Sequence, residues 1–191
     1  MDFSAVLKGE PVADVVVLIG FGLFLLLGFA QGAIRRLLGI GVATAAFVIA
    51  ANLRDQLGGF FANNWKQFDL GYNQLIAFLI IFVAVLVIGN ILIEVTYKRV
   101  VFSARHPVVD EVIGGLLGLI EGFMLLLFVV IIFNSYKLPD AQPGDISQLR
   151  DFQNAVVGQS QVAHWVRVAI APAFVHLIGV LLPAELVSLF P

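Results

Sequence analysis

The chain is predicted to be an all-α, polytopic membrane protein with four transmembrane helices and an amphipathic C-terminal helical tail. Three observations predict this. First, hydrophobic residues make up 60% of the 191 residues and charged residues 13%, against about 45–50% and about 25% in soluble domains. A soluble chain of this size could not hide so much apolar surface in a core. Second, Val112 to Phe133 reads VIGGLLGLIEGFMLLLFVVIIF, and roughly 20 apolar residues cross a hydrocarbon core about 30 Å thick. Third, no apolar run shows the alternation of a membrane β-barrel strand. Helices follow, because an open strand leaves its backbone unsatisfied in lipid.

The first helix is expected from Val12 to Ala33, after Pro11 and before the Arg35-Arg36 pair. The residues before it carry Asp2, Lys8 and Glu10 rather than a basic n-region. The apolar run also exceeds the usual 7–15 residues of a signal peptide, so it reads as a retained helix. The second, Leu37 to Leu53, is near the lower limit for a span. The third runs from Tyr72 to Val95, with Tyr72 and Tyr97 placed like interfacial anchors. The fourth is Val112 to Phe133. Three regions result: an external N-terminal tail (1–11), a four-helix membrane domain (12–135), and an external polar linker with amphipathic tail (136–191).

Orientation is read from the basic residues, which concentrate on the cytoplasmic side. Arg35 and Arg36 mark the turn between helices one and two; Lys98, Arg99 and Arg105 mark the link between three and four. The link from Arg54 to Asp69 holds only Arg54 and Lys66. The N-terminus and the tail after Lys137 are therefore expected outside, which in a Gram-negative cell means the periplasm.

Within the tail, Val162, Trp165, Val166, Ala169, Ile170 and Ala173 fall on one helical face, and His164, Arg167 and Ala171 on another. This suits a helix lying at the bilayer surface. Pro172 is expected to end or kink it. A fifth span is the rival reading.

Two glycine motifs recur: Gly28-Phe-Ala-Gln-Gly32 and Gly118-Leu-Ile-Glu-Gly122. Glycines four apart share a face and let another backbone approach closely. Both motifs fall in the cytoplasmic half of the membrane, so a direct contact would bring Gln31 near Glu121. Gly114 and Gly115 join the packing set, as do Gly20, Gly22, Gly39 and Gly41.

Glu121 is the leading functional candidate, because a carboxylate deep in a span is costly, at least roughly 2.5 kcal/mol, and faces other helices or water. It reads either as a proton- or cation-responsive group in a polar pocket with Gln31, or as a hydrogen-bonded carboxyl locking helices together. Asn90 and Glu94 share a face of helix three, and Glu94 precedes Lys98 by four residues, the favourable order for an ion pair. Asn90 suits helix–helix hydrogen bonding.

Other chemistry is excluded or unsupported. The chain has no cysteine, so disulfides and thiolate chemistry are ruled out. His106, His164 and His176 do not form a metal-ligand cluster in sequence. Ser160 and His164 lack a third orienting group. Gly39-Ile-Gly41 is no dinucleotide loop. A net charge of -2 gives no footprint for nucleic acid. No catalytic, cofactor-binding or metal-binding residue is therefore assigned, and no cofactor.

Asp14, the run GFAQGAIRRLLGI from Gly28 to Ile40, and the block of Asp110, Gly114, Gly118 and Gly122 leading into the last helix resemble the colicin V production protein (CvpA) family. The resemblance covers about residues 12 to 135. Many members carry a basic residue before each motif's last glycine, where this chain has Gln31 and Glu121. It implies a small bacterial inner-membrane protein linked to production of a secreted peptide toxin and, more loosely, to envelope physiology. Two function classes follow. One is a non-enzymatic accessory protein whose partners are the lipid bilayer, membrane or secretion proteins, and a second copy of itself. The other is a small oligomeric transporter or channel with a polar path along Gln31, Asn90, Glu94 and Glu121.

Overall fold

A computed structural model describes residues 11–65, 68, 70–96, 107–135, 154 and 160–188. Regular structure among them is helical throughout. The long helices are α1 (Pro11–Gln31), α2 (Ala33–Asn64), α3 (Leu70–Thr96) and α4 (Pro107–Ser135). The tail comprises α5 (Gln161–Trp165), a π-helical turn (Val166–Ile170), α6 (Ala171–Ile178), a 3₁₀ turn (Gly179–Leu181) and α7 (Ala184–Val187).

The four long helices form two antiparallel pairs. In one, α1 lies against α4 through glycines: a Cβ on Gly28 would strike the Gly114 carbonyl, and one on Gly118 the Phe24 carbonyl. In the other, α2 lies against α3, with Gly58 on Gln74 and Gly89 on Val42. The pairs meet where α2 runs parallel to α4. Gly39 is level with Glu121, and further along Phe47 stacks on Phe128 at 4.4 Å. Phe78 and Phe82 of α3 complete this aromatic core. The outward faces of α1 and α3 keep large aliphatic residues exposed, among them Leu18, Leu26, Ile88 and Leu92, as helices facing lipid do.

The connection between α1 and α2 is a single residue. Gly32 has φ +80, a conformation a Cβ disfavours, and this alone reverses the chain. Arg35 and Arg36 consequently lie inside the first turn of α2, not in a link. A second difference concerns the far end of α2. It does not stop at Leu53 but continues to Asn64, 32 residues in all, about 48 Å at 1.5 Å per residue. The polar run Asn52-Leu-Arg-Asp-Gln56 that imitates a link is helical, and Arg54 is buried. Tyr72, expected as an interfacial anchor, is also buried. Tyr97 and the 98–106 link lie outside the described residues.

Five helices are long and apolar enough to cross a membrane, by length and composition, where the sequence reading counts four. The fifth is the tail stretch Gln161–Leu181. Its contacts place both its ends at one end of the bundle. Asp14, at the start of α1, holds Ser160, Gln161 and Val162. Asn52 and Arg54, late in α2, hold Leu181 and Glu185. Because α1 and α2 are antiparallel, these anchors share the end where α4 finishes.

Pro172 does not end the helix. The preceding π turn absorbs the disruption: the Ala171 amide bonds five residues back to the Val166 carbonyl. That extra residue rotates the following turn, so the buried face runs Ala163, Val166, Ala171, Val175. Ala171, expected on the polar face, is buried, while Ala169 and Ala173 are exposed, as is Trp165 apart from an edge contact with Phe123.

Candidate functional site

Among the described residues, three of the four buried charged side chains, Arg36, Asp110 and Glu121, gather where α1, α2 and α4 meet, beside the Gly32 turn; the fourth, Arg54, lies late in α2. Arg36 and Glu121 are only 5% and 7% exposed. Arg36 Nη1 donates to Glu121 Oε2 at 2.5 Å. The Phe24 ring of α1 lies 5.9 Å from the guanidinium carbon, within reach of a cation–π contact. Gly39 makes room for the carboxylate: a Cβ there would sit 2.9 Å from Glu121 Oε1. Arg36 Nε has no hydrogen-bond partner among the described residues. The pair thus ties the α1–α4 unit to α2 in a place where two charges are drawn from water only because each neutralises the other.

One turn back along α2 from Arg36, at the Ala33 amide, Asp110 acts as the N-cap of α2 in trans. Its Oδ1 accepts from the Ala33 amide at 3.2 Å, and its Oδ2 lies against the bare face of Gly32. The carboxylate satisfies one of the orphan amides at a helix start and faces the positive end of the dipole. Asp14 repeats the device at the other end of the bundle. Ser160 Oγ donates to it at 2.6 Å, as do the amides of Gln161 and Val162 at 3.3 Å. The Ser160 hydroxyl oxygen in turn accepts from the Ala163 amide. These capping roles are absent from the sequence reading; the available signal was an aspartate in the first turn of each glycine-packed helix.

The other assigned residues are placed as follows. Gly28, Gly114 and Gly118 face one another between α1 and α4, Gly122 lies on Phe24, and Gly115 lies on the Phe29 ring. Gly20, Gly22 and Gly41 face open space and are not packing glycines. The expected meeting of Gln31 and Glu121 does not occur. Gly32 is level with Asp110, and Gly28 with Gly114. Glu121 is seven residues beyond Gly114, about 10 Å along the helix, so its partner comes from α2. Asn90 is exposed and donates to the Leu86 carbonyl of its own helix. Glu94 pairs with Arg35 at 3.4 Å, side chains 33% and 70% exposed for Arg35 and Glu94, across the α2–α3 pair. Its expected partner Lys98, with Arg99, Arg105 and His106, lies outside the described residues. Gln31, Asn90, Glu94 and Glu121 do not converge on one path. His164 contacts Arg167, and His176 the Pro172 carbonyl. Among the described residues no three His, Asp or Glu side chains gather as ligands.

A bundle of apolar, glycine-packed helices held by a few buried ionic contacts defines a polytopic helical membrane protein. The profile of the colicin V production protein family matches residues 13–172, and the chain belongs to that family. No curated protein and no solved structure shows significant similarity to it.

Proposed function

We propose that the protein is a non-enzymatic accessory of a bacterial inner membrane, supporting peptide-toxin production or secretion and envelope maintenance through contacts with partner membrane proteins. Its N-terminus and tail face the periplasm in this reading. One observation carries the proposal: among the described residues, the buried charged side chains each fasten one helix to another element. Arg36 is bound to Glu121 and Asp110 to the start of α2, which supports a scaffold rather than a reaction centre. Family membership supports the biological setting. The transporter reading has no matching observation, since its four residues are scattered.

The test is crosslinking in native membranes, with identification of what is attached, alongside a deletion strain. The expected result is a reproducible membrane partner and an envelope or toxin-release defect. A chain that captures no partner, and whose deletion leaves both phenotypes unchanged, would sink the proposal. Ion flux in liposomes that is lost in Glu121→Gln would replace it with the transporter reading.

A further inference from the structure

The two helix pairs touch chiefly along α2 on α4, with Phe82 of α3 reaching Phe128, and are joined at one end by Gly32. At the other end the tail crosses from one pair to the other. It begins on the α1–α4 pair: Asp14 caps it, Trp165 meets Phe123, and Phe174 meets Phe128. It finishes on α2, where Asn52 donates to the Leu181 carbonyl at 2.9 Å and Arg54 donates to Glu185 at 3.1 Å. Beyond the Gly32 junction, α1 and α2 have few direct contacts.

We propose that the tail is a clasp that holds the two helix pairs together at this end, and that its release lets them part about Gly32. The proposal does not depend on the accessory reading. Three features fit a clasp. Its fastenings are polar and sit at its two ends, while its middle adheres through Val166, Ala171 and Val175. Its backbone changes helix type repeatedly, from α to π to α to 3₁₀, which gives it a weak internal ladder that bends easily. The opposite end of the bundle is pinned by Asp110 on α2 and by the Arg36–Glu121 pair, so motion is confined to the tail's end. Small shifts between rigid pairs become discrete states because packed interfaces are bistable rather than elastic.

The cysteine-free chain permits a direct test in full-length protein in lipid nanodiscs. Spin labels at Val16→Cys in α1 and Ile80→Cys in α3, both exposed positions, report the separation of the pairs near the tail. Labels at Leu92→Cys in α3 and Leu116→Cys in α4 report the pinned end. Asp14→Ala with Val175→Asp removes the cap and places a charge in the tail's seat, leaving α2, α3 and α4 unaltered. Thiol labelling of Ala163→Cys, a buried position on the tail's own inner face, reports undocking.

The expected result is faster labelling at 163 and a roughly tenfold rise in the population with a longer 16–80 distance, as when a minor state becomes populated. The 92–116 distance should not change. Labelling at 163 without any change in the 16–80 distance overturns the proposal. So does continued protection of 163, because these attachments would then not be what holds the tail. Lengthening at both ends would mean general loosening and overturns it equally.

Discussion

Replacing Glu121 by Leu should be the most damaging single change in the bundle, because it strands Arg36. Both side chains are under one-tenth exposed. Removing one member of a buried pair costs about 3–5 kcal/mol, because the remaining charge has no partner. At about 2–4 °C per kcal/mol for a chain of this size, the melting midpoint should fall by roughly 6–20 °C. Glu121→Gln keeps the volume and an acceptor oxygen but loses the charge, so it should fall part of the way. This differs from the expectation for a neutral Gln31 partner, under which Gln would be harmless. The decisive variant is Arg36→Met with Glu121→Leu, which removes both charges. Replacing a buried pair by apolar groups is often neutral or stabilising, by about 1–4 kcal/mol, so the double variant should recover most of the midpoint. The assay is thermal unfolding in mild detergent for the parent, both single variants and the double. If Glu121→Leu melts with the parent, or the double variant melts below both singles, the reasoning fails. Complementation read beside abundance then separates roles: a double variant that restores abundance but not activity would give the pair a functional duty beyond fastening.

Other outcomes follow from the same geometry. Gly28→Ala and Gly118→Ala should each lose about 1–3 kcal/mol by overpacking, because each new Cβ meets a backbone carbonyl. Gly20→Ala and Gly22→Ala, which face open space, should be neutral or stabilise by up to about 1 kcal/mol; midpoints for all four check the contrast. Asp110→Ala should cost about 0.5–2 kcal/mol through the lost cap, visible as faster amide exchange at the start of α2. Glu94→Gln should change stability by less than about 1 kcal/mol, since its pair with Arg35 is solvent-facing. Reporter fusions should read cytoplasm after Arg36 and Arg99, and the external side at Gly59, Asp145 and Pro191. A cytoplasmic signal at Pro191 would contradict the tail's contacts with Asn52 and Arg54.

The helices were legible wherever composition alone decides: long apolar runs give α1, α3 and α4 to within a few residues. They were not legible where polar residues face protein instead of water. Asn52, Arg54 and Asp55 depress the hydropathy of α2 and imitate a link, yet besides local contacts they reach Leu181, Glu185 and Gln74 on other elements. The glycine spacing indicated which faces of α1 and α4 meet, but not their register. Two antiparallel motifs can slide past each other by a turn at little cost in pattern. The structure sets Gly28 against Gly114 and Gly118, and that offset separates Gln31 from Glu121. Arg36 was hidden by its suitability for another role, since a basic residue near a helix end also satisfies the topology rule. The tail's buried face was missed because a π turn inserts one residue into the helical period.

The placement of charge accounts for why so apolar a chain adopts one arrangement. Among helices surrounded by lipid, apolar contact between side chains is scarcely better than contact with lipid tails, so it orients neighbours weakly. Glycine resolves this within the α1–α4 pair by letting backbones interlock. Between the pairs there is less glycine, and polar contacts take over. Asp110 reaches the first amide of α2, and Arg36 reaches Glu121. Each joins elements that a slip of one turn would separate. In hydrocarbon an unpaired group of this kind costs several kcal/mol, so a wrong register is penalised far more than a right one is rewarded. The few charges a membrane interior tolerates therefore select the register, and the apolar majority fills the space they define.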